Sequence, residues 1–256
     1  MSLVLAGLSL VAFLSMLWLD RHRPARQMPE IEGPWRAWGL FFFVLTIAVN
    51  GALPWALRPV IEAHHLFNGR VFGDWGGAVV GFVLYELIVY GLHRAHHRFP
   101  FLWRWVHQMH HAPERMDPAG MCFFHPNEIA LLAVVSTGFY GFLLGLTSEA
   151  ASLAGIFFIV SGLFEHSNIR TPQWVGYFIQ RPEQHGLHHQ RGVHDHNFSE
   201  LPLWDLVFGT FQNPKTWDAE AGFYEGALGR WRGLLGGTDL LKEASAGTNG
   251  TSTPPL

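Results

Sequence analysis

The chain has 256 residues, 49% apolar and only 14% charged, with 11 Trp, 21 Phe and a net charge of −3. An average soluble domain carries roughly 25% charged residues; the balance here excludes a disordered chain, which needs low hydrophobicity and high charge. It also argues against a nucleic-acid partner, since no stretch is denser in arginine than three in six residues.

In chain order, five apolar runs approach the roughly 20 residues that cross a bilayer: residues 1–19, 37–57, 75–92 (interrupted by Glu86), 129–148 and 150–164. The first has no basic residue ahead of it and the charged DRHRPAR segment behind it, so it reads as a retained anchor rather than a secretory signal. The last run is short. Its helix would rise about 22 Å against a hydrocarbon core of about 30 Å, so it is either a tilted span or one arm of a re-entrant hairpin with its predecessor. With the N-terminus outside, 15 of the 17 Lys and Arg residues fall on the inner side, leaving only Arg58 and Arg70 outside. The predicted architecture is an all-α, multi-pass bundle of four to five hydrophobic helices, with the C-terminus cytoplasmic. Phe99, Phe101, Trp103 and Trp105 read as an interfacial belt on that inner face.

A single cysteine, Cys122, excludes a disulfide framework and a multi-cysteine zinc site. Histidine is the outlier at 16, and 13 of these lie between His93 and His196, all in segments assigned to the inner side. His93 and His97 stand at i, i+4 where the third run ends. His107, His110 and His111 form H-x-x-H-H, and so do His185, His188 and His189. Spacings of three or four place two imidazoles on one helix face. The adjacent histidine points about 100° further round and can serve a different ion. One such motif is usually a solvated face, but two copies, an i, i+4 pair and a shared membrane face favour a dinuclear metal site. Imidazole suits iron, zinc, copper or nickel, so ligand type alone does not choose the metal. His125 and His166 are single additions to the set, while His22, His64 and His65 read as loop histidines.

Glu86, Tyr90, His93 and His97 form one helical stripe. An ionisable group inside a span is costly and faces the bundle interior with a partner. Glu86 is therefore expected to accept the second N–H of an imidazole ligand, with Tyr90 beside it. No H-E-x-x-H zincin motif, nucleotide-binding G-x-G-x-x-G or G-x-S-x-G elbow is present. The chain thus has no obvious site for its own reductant.

The segments HRAHH, HQMHH, HPNE and HGLHH, together with HDHNFSELPLWDLVFG over residues 194–209 and Thr210 after it, resemble the membrane fatty acid hydroxylase and sterol desaturase superfamily. The resemblance covers residues 75 to 211. It implies a non-haem centre of two iron ions on the cytosolic face of a helical membrane domain, under a helical cap. It also implies O2 as co-substrate, electrons from a separate redox protein and a lipid C–H bond as target. By position it carries over His93, His97, His107, His110, His111, His166, His185, His188 and His189 as metal ligands, with His125 in the family's His-Pro element. Ser199 stands where many members have Gly. Three regions follow: anchor spans and a loop over 1–74, a catalytic domain over 75–235, and a Gly/Ser/Thr/Pro-rich tail over 236–256 expected to be disordered.

The chemistry suits such a centre. An unactivated C–H bond has no acidic proton, so general acid–base groups cannot break it, and the oxidising power must come from a cofactor that the protein positions and shields. The competing readings are a histidine-rich metal transporter, which expects polar ligands along several spans, and a haem electron carrier, which expects histidine pairs on facing helices within the membrane.

Overall fold

A backbone in hydrocarbon must satisfy its hydrogen bonds within one segment, so long uncharged runs become long helices. The computed structural model describes residues 3–31 and 33–243, which are helices and connecting turns without a named strand. In order they are α1 (Leu3–His22), α2 (Trp35–Ala56), α3 (Arg58–Ala63), α4 (Gly73–Arg98), α5 (Pro100–Leu102), α6 (Pro118–Met121), α7 (Pro126–Thr137), α8 (Ser148–Glu165), α9 (Pro182–His188), α10 (Pro202–Phe208) and α11 (Trp231–Leu235). Among the described residues four helical segments are long and apolar enough to cross a membrane: Val4–His22, Trp35–Ala56, Gly69–Arg98 and Ser148–Glu165. The chain is a membrane protein.

The fourth and fifth apolar runs are two arms joined by a tight turn: the first is α7 continued by the wide π-type turns of Gly138–Leu143 and packed on α2, and the second is α8, packed on α4 and α1. Thr147 starts the return by accepting the Ala150 N–H at 3.0 Å and donating to Asp74 at 2.6 Å, so the tip meets the first turn of α4. Residues 66–69 close the same end through Leu66 N to Phe142 O at 2.8 Å and Gly69 N to Leu144 O at 2.7 Å. At 18 residues, α8 rises about 27 Å, close to the hydrocarbon thickness. The run is longer than the sequence suggested because Ser148, Glu149 and Glu165 join the helix.

Small residues let α8 lie parallel to α4. Gly77 faces Ala150, and Gly81 faces Leu146 and Tyr140. Around them Phe82, Tyr85, Val89, Tyr140, Leu146, Ala150 and Ala154 form a buried core. The other end of the bundle collects the C-termini of α1, α4 and α8 and the start of α7, with the segments after Arg98 and after Glu165 laid over them. There Asp20 accepts the Asn168 N–H at 3.1 Å.

The boundary after residue 235 needs correcting. Residues 236–243 pack onto the domain: Gln108 donates to Thr238 O at 2.7 Å and accepts from Leu240 N at 2.9 Å, and Leu240 is fully buried. Leu240 and Leu241 supply apolar area that a compositional reading of the tail overlooks. Residues 244–256, also assigned to the tail, lie outside the described residues.

Gly39 marks the crossing of α2 and α6, where a Cβ would sit 2.6 Å from the Ala119 Cα. Backbone cannot move aside as a side chain can, so Gly39→Val should cost about 1–3 kcal/mol. A lowered thermal unfolding midpoint in detergent is the expected result; an unchanged midpoint would show that the helices separate freely.

Candidate metal centre

The three histidine motifs are presented by different backbones. His93 and His97 stand on the last turns of α4, and His185 and His188 on α9, with His189 as its C-cap. The second motif was expected on a helix but follows the wide π-type turn Trp103–His107, in which Gln108 N reaches Trp103 O at 2.7 Å. A tight turn then closes from His110 N to His107 O at 3.0 Å. Pro113 two residues on disfavours continuing the helix, and π-turns recur at functional sites because they re-aim side chains. His166 caps the C-terminus of α8.

Nine ring nitrogens converge in two groups. His93, His97, His107, His111 and His188 form one; His110, His166, His185 and His189 form the other, with ligand atoms inside each group all within 4.8 Å of one another. The adjacent pairs divide: His111 and His188 face one group, His110 and His189 the other. In the first, His111 Nε2 lies 3.1 Å from His107 Nε2 and 3.2 Å from His188 Nε2. In the second, His166 Nε2 lies 3.2 Å from His110 Nε2 and 3.0 Å from His185 Nε2, which is 3.0 Å from His189 Nε2. The groups abut where the His111 and His189 rings stack at 4.0 Å.

The opposite nitrogens fix the tautomers. His93 Nδ1 donates to Phe198 O at 2.8 Å, His166 Nδ1 to Gly162 O at 2.8 Å and His188 Nδ1 to His196 O at 2.7 Å. A carbonyl can only accept, so Nδ1 carries the proton and, in a neutral ring, Nε2 is a bare lone pair. His107 Nδ1 faces Glu128 Oε1 at 2.6 Å, and burial pushes the Glu128 carboxyl well above its ordinary range, so either partner can hold the proton between them. His111 has at most one Nε2 proton for the two ring nitrogens it faces, and His93 Nε2 and His97 Nε2 are buried with no partner. Ring nitrogens crowd here with fewer protons than contacts, a donor set that suits a cation. Outside the spans, burial pushes His107, His110, His111, His185, His188 and His189 well below the ordinary imidazole range, and His166 down to about 4. These rings are neutral at pH 7, so protons do not compete for the lone pairs.

Other expected members stand elsewhere. His125 caps α7 by accepting Asn127 N–H at 3.1 Å, and its Nε2 faces Leu235 O at 3.4 Å; both nitrogens are engaged outside the two groups. Glu86 accepts the Leu201 N–H at 3.1 Å rather than an imidazole proton. Seven residues of helix place it about 10 Å below His93, so the stripe is right but the reach is too long. Tyr90 hydrogen-bonds Thr210 Oγ1 at 3.2 Å, receives Arg94 at 3.1 Å and stacks on Phe208.

The sequence reading missed the carboxylates that do meet imidazoles. Glu128 holds His107, and Glu165 Oε1 lies 3.4 Å from His185 Nε2 and 3.7 Å from His166 Nδ1. The available signals were the acid two residues after the His-Pro pair and the acid immediately before His166. His96 joins His107 and Glu128 in a third, smaller grouping. The Phe198 ring closes one side of the first group, 5.6 Å from His93 and 5.7 Å from His97.

A helical membrane protein with two abutting clusters of buried imidazoles at one end of its bundle is a metal-binding architecture, and the comparisons give it a family. The chain belongs to the fatty acid hydroxylase family, whose profile matches residues 78–210. It is 28% identical over 180 residues to the ornithine lipid hydroxylase OlsE of Rhizobium tropici, covering 66% of this chain and 53% of that protein. It is 29% identical over 167 residues to the sphingolipid C4-hydroxylase SUR2 of Saccharomyces cerevisiae, covering 61% and 47%. Against the very-long-chain aldehyde decarbonylase GL1-9 of Oryza sativa subsp. indica, identity is 26% over 125 residues, covering 47% and 48%. The chain thus spans about half the length of these relatives. No solved structure matches it.

A carboxylate that orients a ligating imidazole typically contributes 10- to 100-fold in metal affinity. Glu128→Gln is therefore expected to weaken metal binding by roughly that factor, while Glu86→Gln leaves it unchanged. Competition with a chelator on both purified variants measures this; equal affinities would remove Glu128 from the role.

Proposed function

We propose that this protein is a membrane-bound, O2-dependent lipid oxidoreductase whose two histidine groups each hold an iron ion. It hydroxylates or desaturates a C–H bond of a fatty acyl or sterol-like lipid, with electrons from a separate redox protein. The observation that carries this reading is the convergence of nine ring nitrogens into two abutting groups, in a chain of the fatty acid hydroxylase family whose relatives include two lipid hydroxylases.

Iron in these groups would supply O2 activation and oxidation of an unactivated C–H bond. Hydroxylation puts one oxygen atom of O2 into the product and releases the other as water, using two electrons and two protons. The chain's own residues provide the setting. Phe198, Gly162 and His196 carbonyls and the Glu128 carboxylate hold rings with Nε2 inward. Burial of the imidazoles keeps bulk water away from a site where stray oxidation would damage the protein. Glu86 and Tyr90 act from below, fixing the segment that carries Phe198. His125 braces α7 rather than binding metal.

The transporter reading needs polar ligands spread along the spans, whereas the nine grouped imidazoles gather at one end. The lysine and arginine bias supports that end, with the C-terminus, lying on the cytoplasmic side and the N-terminus outside. Placing the groups at the end of α4 lets a lipid stay in the bilayer while its reacting carbon reaches the site.

Two measurements test this. Purified chain loaded with iron should bind two ions and, with a reductase system and 18O2, give either a hydroxylated product carrying 18O or a desaturated product with both labelled atoms released as water. Reduced nicotinamide and O2 alone should give no turnover, and oxygen drawn from water would overturn the reading. Separately, a reporter fused after Phe211 should be cytoplasmic; an external reporter would reverse the orientation.

A further inference from the structure

The segment after the last histidine motif does not stay at the histidine end. Phe198 lies beside His93, Leu201 N donates to Glu86 at 3.1 Å, and Trp204 Nε1 donates to Val83 O at 3.2 Å. The chain then turns back. Phe208 stacks on Tyr90 at 4.9 Å, and Asn197 N closes the excursion on Thr210 O at 3.1 Å. Val83 is ten residues before His93, so the contacts of the segment reach about 15 Å down α4 before the chain returns. We propose that residues 198–210 form a re-entrant loop inside the bilayer, with the outer face of α10 covered by lipid acyl chains.

Irregular backbone at membrane depth persists only where its polar groups are satisfied by protein, and here one buried carboxylate does much of this. Asp205 accepts Phe198 N at 2.9 Å, Ser199 N at 3.0 Å, Ser199 Oγ at 2.8 Å and Thr210 Oγ1 at 2.6 Å. It is the only charged residue from 201 to 211. On the opposite side of α10, Leu203, Leu206, Val207 and Phe208 are 45–61% exposed. This face continues the exposed apolar side of α4 at Val79, Leu84 and Leu87, which any bilayer around α4 must cover. Trp174 and Phe178, 65% and 72% exposed on the adjoining turn, suit the headgroup boundary where aromatic rings collect. Acyl chains are thus the one occupant continuous with the span. The inference needs α4 to cross a membrane but not the oxygenase reading, and its test involves no turnover.

The full chain carrying Cys122→Ser and Val207→Cys is labelled with bimane and reconstituted in phosphatidylcholine vesicles with or without brominated acyl chains. Brominated lipid should quench the label severalfold, while a label at the exposed Lys215→Cys should be unaffected. Leu203→Cys serves as a second position should the first variant not fold. A thiol at either loop position that reacts freely with a membrane-impermeant maleimide would overturn the proposal. A thiol protected from that reagent yet unquenched by brominated lipid would overturn it too, since protein and not lipid would then cover the face.

Discussion

The arrangement at the histidine end depends on where the imidazole protons are. Each ring whose Nδ1 proton is taken by a carbonyl must turn a bare Nε2 inward, where it faces further ring nitrogens 3.0–3.2 Å away. The acceptors come from distant parts of the chain: Gly162 on α8, Glu128 on α7, Phe198 and His196 after α9. Long-range packing therefore becomes ligand direction, and a change in any of these elements is felt as a rotated ring.

The segment from 197 to 210 shows how support and site are joined. Asn197 adopts a left-handed backbone (φ 57°), a conformation asparagine tolerates better than most residues. Its side chain donates to Gln184 O at 2.9 Å and accepts Gln212 N at 2.8 Å, tying α9 to the returning strand of the loop. Asp205 gathers the amides of Phe198 and Ser199, so the Phe198 carbonyl is held where His93 can donate to it. Glu86 and Tyr90, which the helical stripe marked as partners of the metal ligands, support this segment instead. They act one step further out.

Period and spacing made much of this legible. Apolar runs long enough to cross a bilayer foretold α1, α2, α4 and α8, because charge-free stretches have few alternatives in lipid. The residues that converge were also legible as types, since H-x-x-H-H leaves few bland explanations when repeated. Spacing did not show backbone form: His107, His110 and His111 read as helical but stand on a π-turn and a tight turn. It did not show vertical reach either, which separates Glu86 from His93 by about 10 Å. Glu128 and Glu165 escaped notice because a carboxylate's partner is set by how three helices meet, not by its neighbours in sequence. His125 misled for the same reason, its ring nitrogens being spent on a helix cap and on Leu235. Packing of 236–243 rests on Gln108, more than a hundred residues away.

Burial of so many imidazoles has a thermodynamic consequence that links the fold to the metal. Desolvation disfavours the charged ring, so His166 remains neutral until the pH falls toward about 4, against an ordinary value of 6.5. The unfolded chain binds that proton more readily, and stability carried by the neutral ring is complete above pH 6.5 and is lost as the pH falls from there through the folded value. Over the same window the lone pairs stay open to a cation. A metal that binds the folded groups and not the unfolded chain adds its binding free energy to folding. Neutral pH therefore favours the folded chain and the open lone pairs together.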